Sequence, residues 1–180
     1  MKKTWLITFA RTTLAMLLLA VFAQSSAFAQ DEAQDEKSAE QQQEGSAARQ
    51  ANARRLEGVW DVQVTRLNCQ TGAAIATFPT MLTYARGGTM SDWGTGNPPS
   101  LRSPGHGVWS YDSGRNYTSA FQFFRYNPDG TLAGRQVVRN QIVLSRFGST
   151  FEVTTTAQIF DVNGNVIASN CSTGVGTRFE

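Results

Sequence analysis

From about residue 56 to the end, the chain alternates apolar and polar side chains with a period of two. In 115–125, Tyr117, Ser119, Phe121 and Phe123 fall on one face, and Asn116, Thr118 and Gln122 on the other. In 131–147, Leu132, Val138, Ile142 and Leu144 oppose Arg135, Arg139 and Gln141. In 151–159, Phe151, Val153, Ala157 and Ile159 oppose Glu152, Thr154, Thr156 and Gln158. Such alternation predicts strands with one buried and one wet face. Turn clusters separate them at regular intervals, among them "ARGG" (85–88), "YDSGRN" (111–116), "NPDG" (127–130) and "DVNGN" (161–165). No window shows an apolar stripe at helical spacing. The pattern predicts an all-β domain of about eight strands joined mostly by short hairpins, an antiparallel up-and-down meander. A meander has two exposed edges, and closing it into a barrel removes them.

One segment breaks the rhythm. "GTGNPPSLRSPGHG" (94–107) holds four glycines and three prolines and is too long for a hairpin turn. Loops of that length serve as mouth or binding loops, or are simply exposed surface; both readings stand here.

The first 55 residues follow other rules. Lys2, Lys3 and Arg11 precede the short apolar run "LAMLLLAVFA" (14–23), and "AFA" (27–29) supplies small residues for cleavage. The pattern predicts a signal peptide over 1–29 of bacterial Sec type, and so a periplasmic or secreted protein; an uncleaved anchor is the alternative. The run is shorter than the roughly 20 residues a membrane span requires, so no span is expected after cleavage. Residues 30–55 contain no Val, Ile, Leu, Phe, Tyr or Trp, and read as a disordered or weakly helical linker. The folded domain is then 56–180.

This division changes the charge balance. Of 16 Lys+Arg and 14 Asp+Glu, three bases lie in 1–29, and four bases with six acids lie in 30–55. Nine bases, all arginine, and eight acids remain in the domain, a net charge of +1. That removes the electrostatic footprint of a nucleic-acid binder.

Candidate chemistry is sparse. There is no nucleophile elbow, phosphate loop or dinucleotide fingerprint, and no cofactor is expected. His106 is the only histidine. It is either polar loop surface or a general base at a barrel mouth. One histidine and two cysteines cannot supply a tetrahedral zinc site, so no metal is expected. The aromatic residues Trp93, Trp109, Tyr111, Tyr117, Phe121 and Phe123 flank or follow the long loop. They fill a core, or a subset lines an apolar pocket together with His106. If the odd-numbered face of 115–125 points inward, Arg125 shares it and could grip a carboxylate, or it lies at the rim.

Gly58-Val59-Trp60, at the start of the domain, resembles the G-x-W signature of lipocalins and the wider calycin barrels. The resemblance implies a barrel whose base is closed by an arginine of the last strand packed on that tryptophan, here Arg178. The mid-chain lipocalin motif is not evident, so the likeness is to calycin barrels broadly. Antiparallel partners keep a nearly constant sum of residue numbers. Cys69 with Cys171 matches Trp60 with Arg178 to within one diagonal step, with the cysteines on the opposite face. Two cysteines in an exported chain also favour a disulfide over free thiols.

Three functions fit these features. The first is an exported, monomeric lipocalin-like barrel binding a small apolar or amphipathic molecule. The second is a barrel enzyme of cyclase or isomerase type that uses His106 or a tyrosine. The third is a filled barrel with a structural or protein-contact role in the envelope.

Overall fold

The computed structural model describes residues 42–179. The signal peptide expected at 1–29, and the linker up to residue 41, lie outside the described residues. Residues 42–54 are helical, and every side chain over 42–48 is exposed. The compact unit that carries the strands begins at Arg49.

Eight strands follow in chain order: β1 (Gly58–Leu67), β2 (Ala74–Tyr84), β3 (Thr89–Gly94), β4 (Gly105–Ser113), β5 (Asn116–Tyr126), β6 (Leu132–Leu144), β7 (Thr150–Phe160) and β8 (Val166–Arg178). Each pairs antiparallel with its sequence neighbours, and β1 pairs with β8, giving one closed barrel. Closure leaves no row of unpaired backbone groups along an edge. The alternation read from the sequence sets the faces. Tyr117, Ser119, Phe121 and Phe123 point inward from β5, as do Val138, Asn140, Ile142 and Leu144 from β6 and Phe151, Val153 and Ala157 from β7. Leu132 departs from this pattern. It sits at the first residue of β6, beside a register shift, and is half exposed.

The seam between first and last strands has Trp60 opposite Arg178 and Leu67 opposite Cys171. Cys69, just past the end of β1, is disulfide-bonded to Cys171, with Cα atoms 5.3 Å apart and a sequence separation of 102. The seam is therefore pinned at both ends, covalently at one and through Arg178 at the other.

At the Arg178 end the barrel is filled. Trp60 is fully buried, its ring centroid 4.8 Å from that of Phe151. Tyr84, Trp109, Tyr117 and Leu144 complete the plug. Each such side chain contributes about 1.5–3 kcal/mol by burial. The Arg178 guanidinium stacks 4.3 Å from the Trp60 ring and donates to the backbone oxygens of Glu57 (2.7 Å), Arg55 (2.7 Å) and Gly148 (3.2 Å). This explains Gly58. Its φ of +132° lies where side chains are disfavoured, and a Cβ there would stand 2.6 Å from the Arg178 Nη1. The glycine makes room for the arginine two residues before the tryptophan it covers.

Residues 49–57 cap the same end. Leu56 is fully buried, and its carbonyl accepts from the Trp60 indole at 2.9 Å. Arg55 donates to the carbonyl of Arg146 (2.6 Å), and the Tyr117 hydroxyl donates to the carbonyl of Asn52 (2.5 Å). The end of the segment read as linker is thus part of the barrel's closed base. A string of polar residues gave no apolar signal for this, because its contacts are mostly backbone carbonyls.

Candidate functional site

The opposite end of the barrel carries the turns after β1, β5 and β7 and the long loop between β3 and β4. Below them lies a cavity of about 330 Å³. Its walls are apolar inward positions: Val62 and Val64 from β1, Leu82 from β2, Phe121 and Phe123 from β5, Val138 from β6, Val153 and Ile159 from β7. The loop supplies Gly96, Asn97 and Arg102 and so stands at the mouth; it is shorter than the sequence suggested, because Gly94 ends β3 and Gly105, His106 and Gly107 begin β4. A single 3-10 turn, Pro99–Leu101, shapes its middle.

Polar groups in the cavity fall into two sets. Asp92, inward on β3, accepts from the Thr80 hydroxyl at 2.9 Å and forms a salt bridge with Arg102; both side chains are at most 9% exposed. Arg102 also lies 3.9 Å from the Phe123 ring and donates to the carbonyls of Ser103 (3.1 Å) and Gly94 (3.4 Å). The pair ties the loop to the barrel wall. A buried carboxylate and guanidinium satisfied in this way hold geometry, and removing either partner strands the other. Deeper, the Thr155 hydroxyl donates to Asn140 Oδ1 (2.7 Å), and Asn140 Nδ2 donates to the Ser119 hydroxyl (3.0 Å). The second set is Arg66 on β1 and Arg125 on β5. Both are half-buried and line the cavity, but Arg102–Asp92 is the one ion pair among the described residues.

Between cavity and plug, the Tyr84 hydroxyl is buried with no hydrogen bond of good geometry. Burial pushes its pKa well above the ordinary 10.0; the Ser119 side chain offsets the rise slightly and the Asp92 charge adds to it. Tyr84 stays a neutral phenol at any ordinary pH. Tyr117 is likewise raised by burial, against the pull of the nearby Arg55 charge.

The residues singled out in the sequence separate into three places. Phe121, Phe123 and Arg125 line the cavity. Trp109, Tyr111 and Tyr117 belong to the filled base, where Trp109 donates its indole N–H to the Ala85 carbonyl at 2.9 Å and the Tyr111 and Tyr117 rings lie 5.3 Å apart. Trp93 and His106 lie on the outer face, Trp93 58% exposed and His106 also exposed. Sequence reasoning missed Asp92, Arg102 and Arg66. Parity could have found two of them, since Arg66 shares the face of Trp60, Val62 and Val64, and Asp92 that of Met90. Arg102 lies in irregular chain and carried no periodic signal.

A second depression, of about 490 Å³, lies on the outside of β4–β7, where outward residues such as Ser110, Thr118, Arg139 and Thr156 line it. Its floor is sheet backbone rather than a walled interior. Among the described residues no three of His, Cys, Asp and Glu gather as a metal site, and no helix is long and apolar enough to cross a membrane. No protein-family model matches the chain, and a search of the curated proteins finds no match.

Proposed function

We propose that this protein is an exported, lipocalin-like binding module that carries a small apolar or amphipathic molecule in the cavity at the barrel mouth. One observation carries the reading. A barrel sealed at one end by Trp60, Arg178 and residues 49–57 keeps a cavity of about 330 Å³ at the other, within the size range of small-molecule sites. Its inward valines and phenylalanines suit an apolar body, while Asp92, Arg102, Asn140 and Thr155 give a few polar contacts. The G-x-W glycine and tryptophan with the terminal-strand arginine support the calycin likeness, through the Gly58–Trp60–Arg178 geometry. The disulfide supports an oxidising compartment such as the periplasm or the exterior. The enzyme reading built on His106 draws no support from a position on the outer face. An entirely filled barrel does not account for the cavity.

Titration with a neutral fluorescent apolar probe such as N-phenyl-1-naphthylamine tests this reading. Saturable binding with a blue shift is expected. Ala157→Phe, which places a ring in the cavity, should weaken it about tenfold or more. Binding that is absent, or that ignores Ala157→Phe, sinks the proposal.

A further inference from the structure

From the cavity's charged groups we infer that the ligand is a single-chain anionic amphiphile, whose tail occupies the apolar lumen and whose anionic head sits between Arg66 and Arg125. This rests on the binding reading above and adds the chemical class. Four charged side chains line the cavity: Arg66, Asp92, Arg102 and Arg125. The Asp92 carboxylate is taken up by Arg102 and Thr80, so no carboxylate of the cavity is left for the other two arginines. Arg66 and Arg125 are half-buried residues that line this cavity, and an anion that reaches their guanidiniums is held by charge-assisted hydrogen bonds.

Placement strengthens the point. In an eight-strand barrel β1 and β5 lie on opposite sides, so Arg66 and Arg125 enter the same cavity from facing walls. Both sit near the mouth ends of their strands, Arg66 one residue before the end of β1 and Arg125 one residue before the end of β5. Arg125 is also bridged through its backbone to Arg102, the residue anchored by Asp92, which fixes its height at the rim. Below both arginines the walls are chiefly Val62, Val64, Phe121, Phe123, Val138 and Val153, with Asn140 and Thr155 hydrogen-bonded to each other. Charge at the rim and apolar wall beneath match a molecule with one anionic end and one apolar end. At ~30 Å³ for each methylene of a flexible tail, the cavity suits about ten carbons with the head at the rim. Two guanidiniums accept a carboxylate or a sulfate ester alike, so the shared chemistry is the single anionic head.

The test compares one tail with four heads. Decanoate, decyl sulfate, decanol and decyltrimethylammonium each compete with N-phenyl-1-naphthylamine at low salt, on the disulfide-bonded protein. Decanoate and decyl sulfate should bind about tenfold or more tighter than decanol, and decyltrimethylammonium weaker than decanol. In Arg66→Gln/Arg125→Gln the anions should fall to the affinity of decanol, which itself stays unchanged; an unaltered melting curve shows the variant is folded. Equal affinity for decanoate and decanol in the parent protein overturns the inference while leaving the cavity reading intact. So does an anion preference that survives the double substitution. Failure of the neutral probe to bind at all removes the binding reading itself. Decanoate and decyl sulfate measured separately show whether the head is a carboxylate in particular.

Discussion

The two ends of this barrel treat buried polarity in opposite ways. At the base, the Arg178 guanidinium has three carbonyl acceptors and an indole face, and the Trp60 N–H has the Leu56 carbonyl. At the mouth, Asp92 and Arg102 satisfy each other, while Arg66 and Arg125 face the lumen without a carboxylate. The base is what a sealed core requires, because an unpartnered buried polar group costs about 1–3 kcal/mol. The mouth keeps charge that the fold itself does not use. On the proposed reading, the unpaired charge at the mouth is what a ligand would use.

Substitutions at the base should therefore cost far more stability than removal of the unpaired arginines at the mouth. Trp60→Ala removes a fully buried indole and should cost about 3–5 kcal/mol in chemical denaturation. Arg178→Ala leaves three carbonyls unpaired and should cost about 2–4 kcal/mol. Arg66→Gln and Arg125→Gln should each shift stability by about 0.5 kcal/mol or less. A large loss from the mouth arginines, or none from Arg178, would erase the distinction between the ends.

The disulfide offers the next contrast, because it pins the seam at the mouth as Arg178 pins it at the base. Cys69→Ser/Cys171→Ser should lower stability by about 2–4 kcal/mol, through the freedom returned to the unfolded chain. The antiparallel register between β1 and β8 already holds without it, so the variant should keep its far-ultraviolet spectrum and its probe binding well below the melting point. Loss of the folded spectrum at low temperature would mean that backbone pairing alone does not close the barrel.

The smallest effect concerns acid. Asp161 in the β7–β8 turn accepts from the backbone N–H groups of Asn163 and Asn165 and from the Asn165 side chain, which holds its carboxyl below the ordinary 3.8. A carboxyl depressed in the folded state stabilises it above the unfolded value, and that contribution disappears as pH falls through the lower folded value. Asp161→Asn should lower stability slightly at pH 7, where the depressed carboxylate contributes fully, and flatten the acid limb so that the two proteins converge below about pH 4.

Much of the architecture was legible in the sequence, for a physical reason. Period-two alternation states directly which side chains face in, and Tyr117, Phe121 and Phe123 in β5 obey it. The calycin likeness implied the Trp60–Arg178 association, and the residue sums showed Cys69–Cys171 to agree with it within one diagonal step; the β1–β8 pairing carries both. The site was harder to read. Aromatic content marks the core and the cavity alike, and only the distance along the barrel axis separates Phe121 and Phe123 from Trp109 and Tyr117. Trp93 and His106 attracted notice by residue type, yet alternation places both outside, in step with buried Asp92 and Gly105. Arg102 reaches Asp92 from a proline-rich loop with no periodicity, and Asn52 and Arg55 hold the base through backbone carbonyls. Neither contact leaves a trace in a hydrophobic pattern.

The claim that ties these points together is that an apolar molecule enters the mouth and stops above the plug. Methyl-resolved NMR of the labelled protein, titrated with decanol, tests it directly. Saturable shifts are expected at the methyls of Val62, Val64, Val138, Val153 and Ile159, with Leu56 and Leu144 at the base unmoved. Shifts confined to outward methyls such as Val108 and Val175, or none at any concentration below micelle formation, would contradict it.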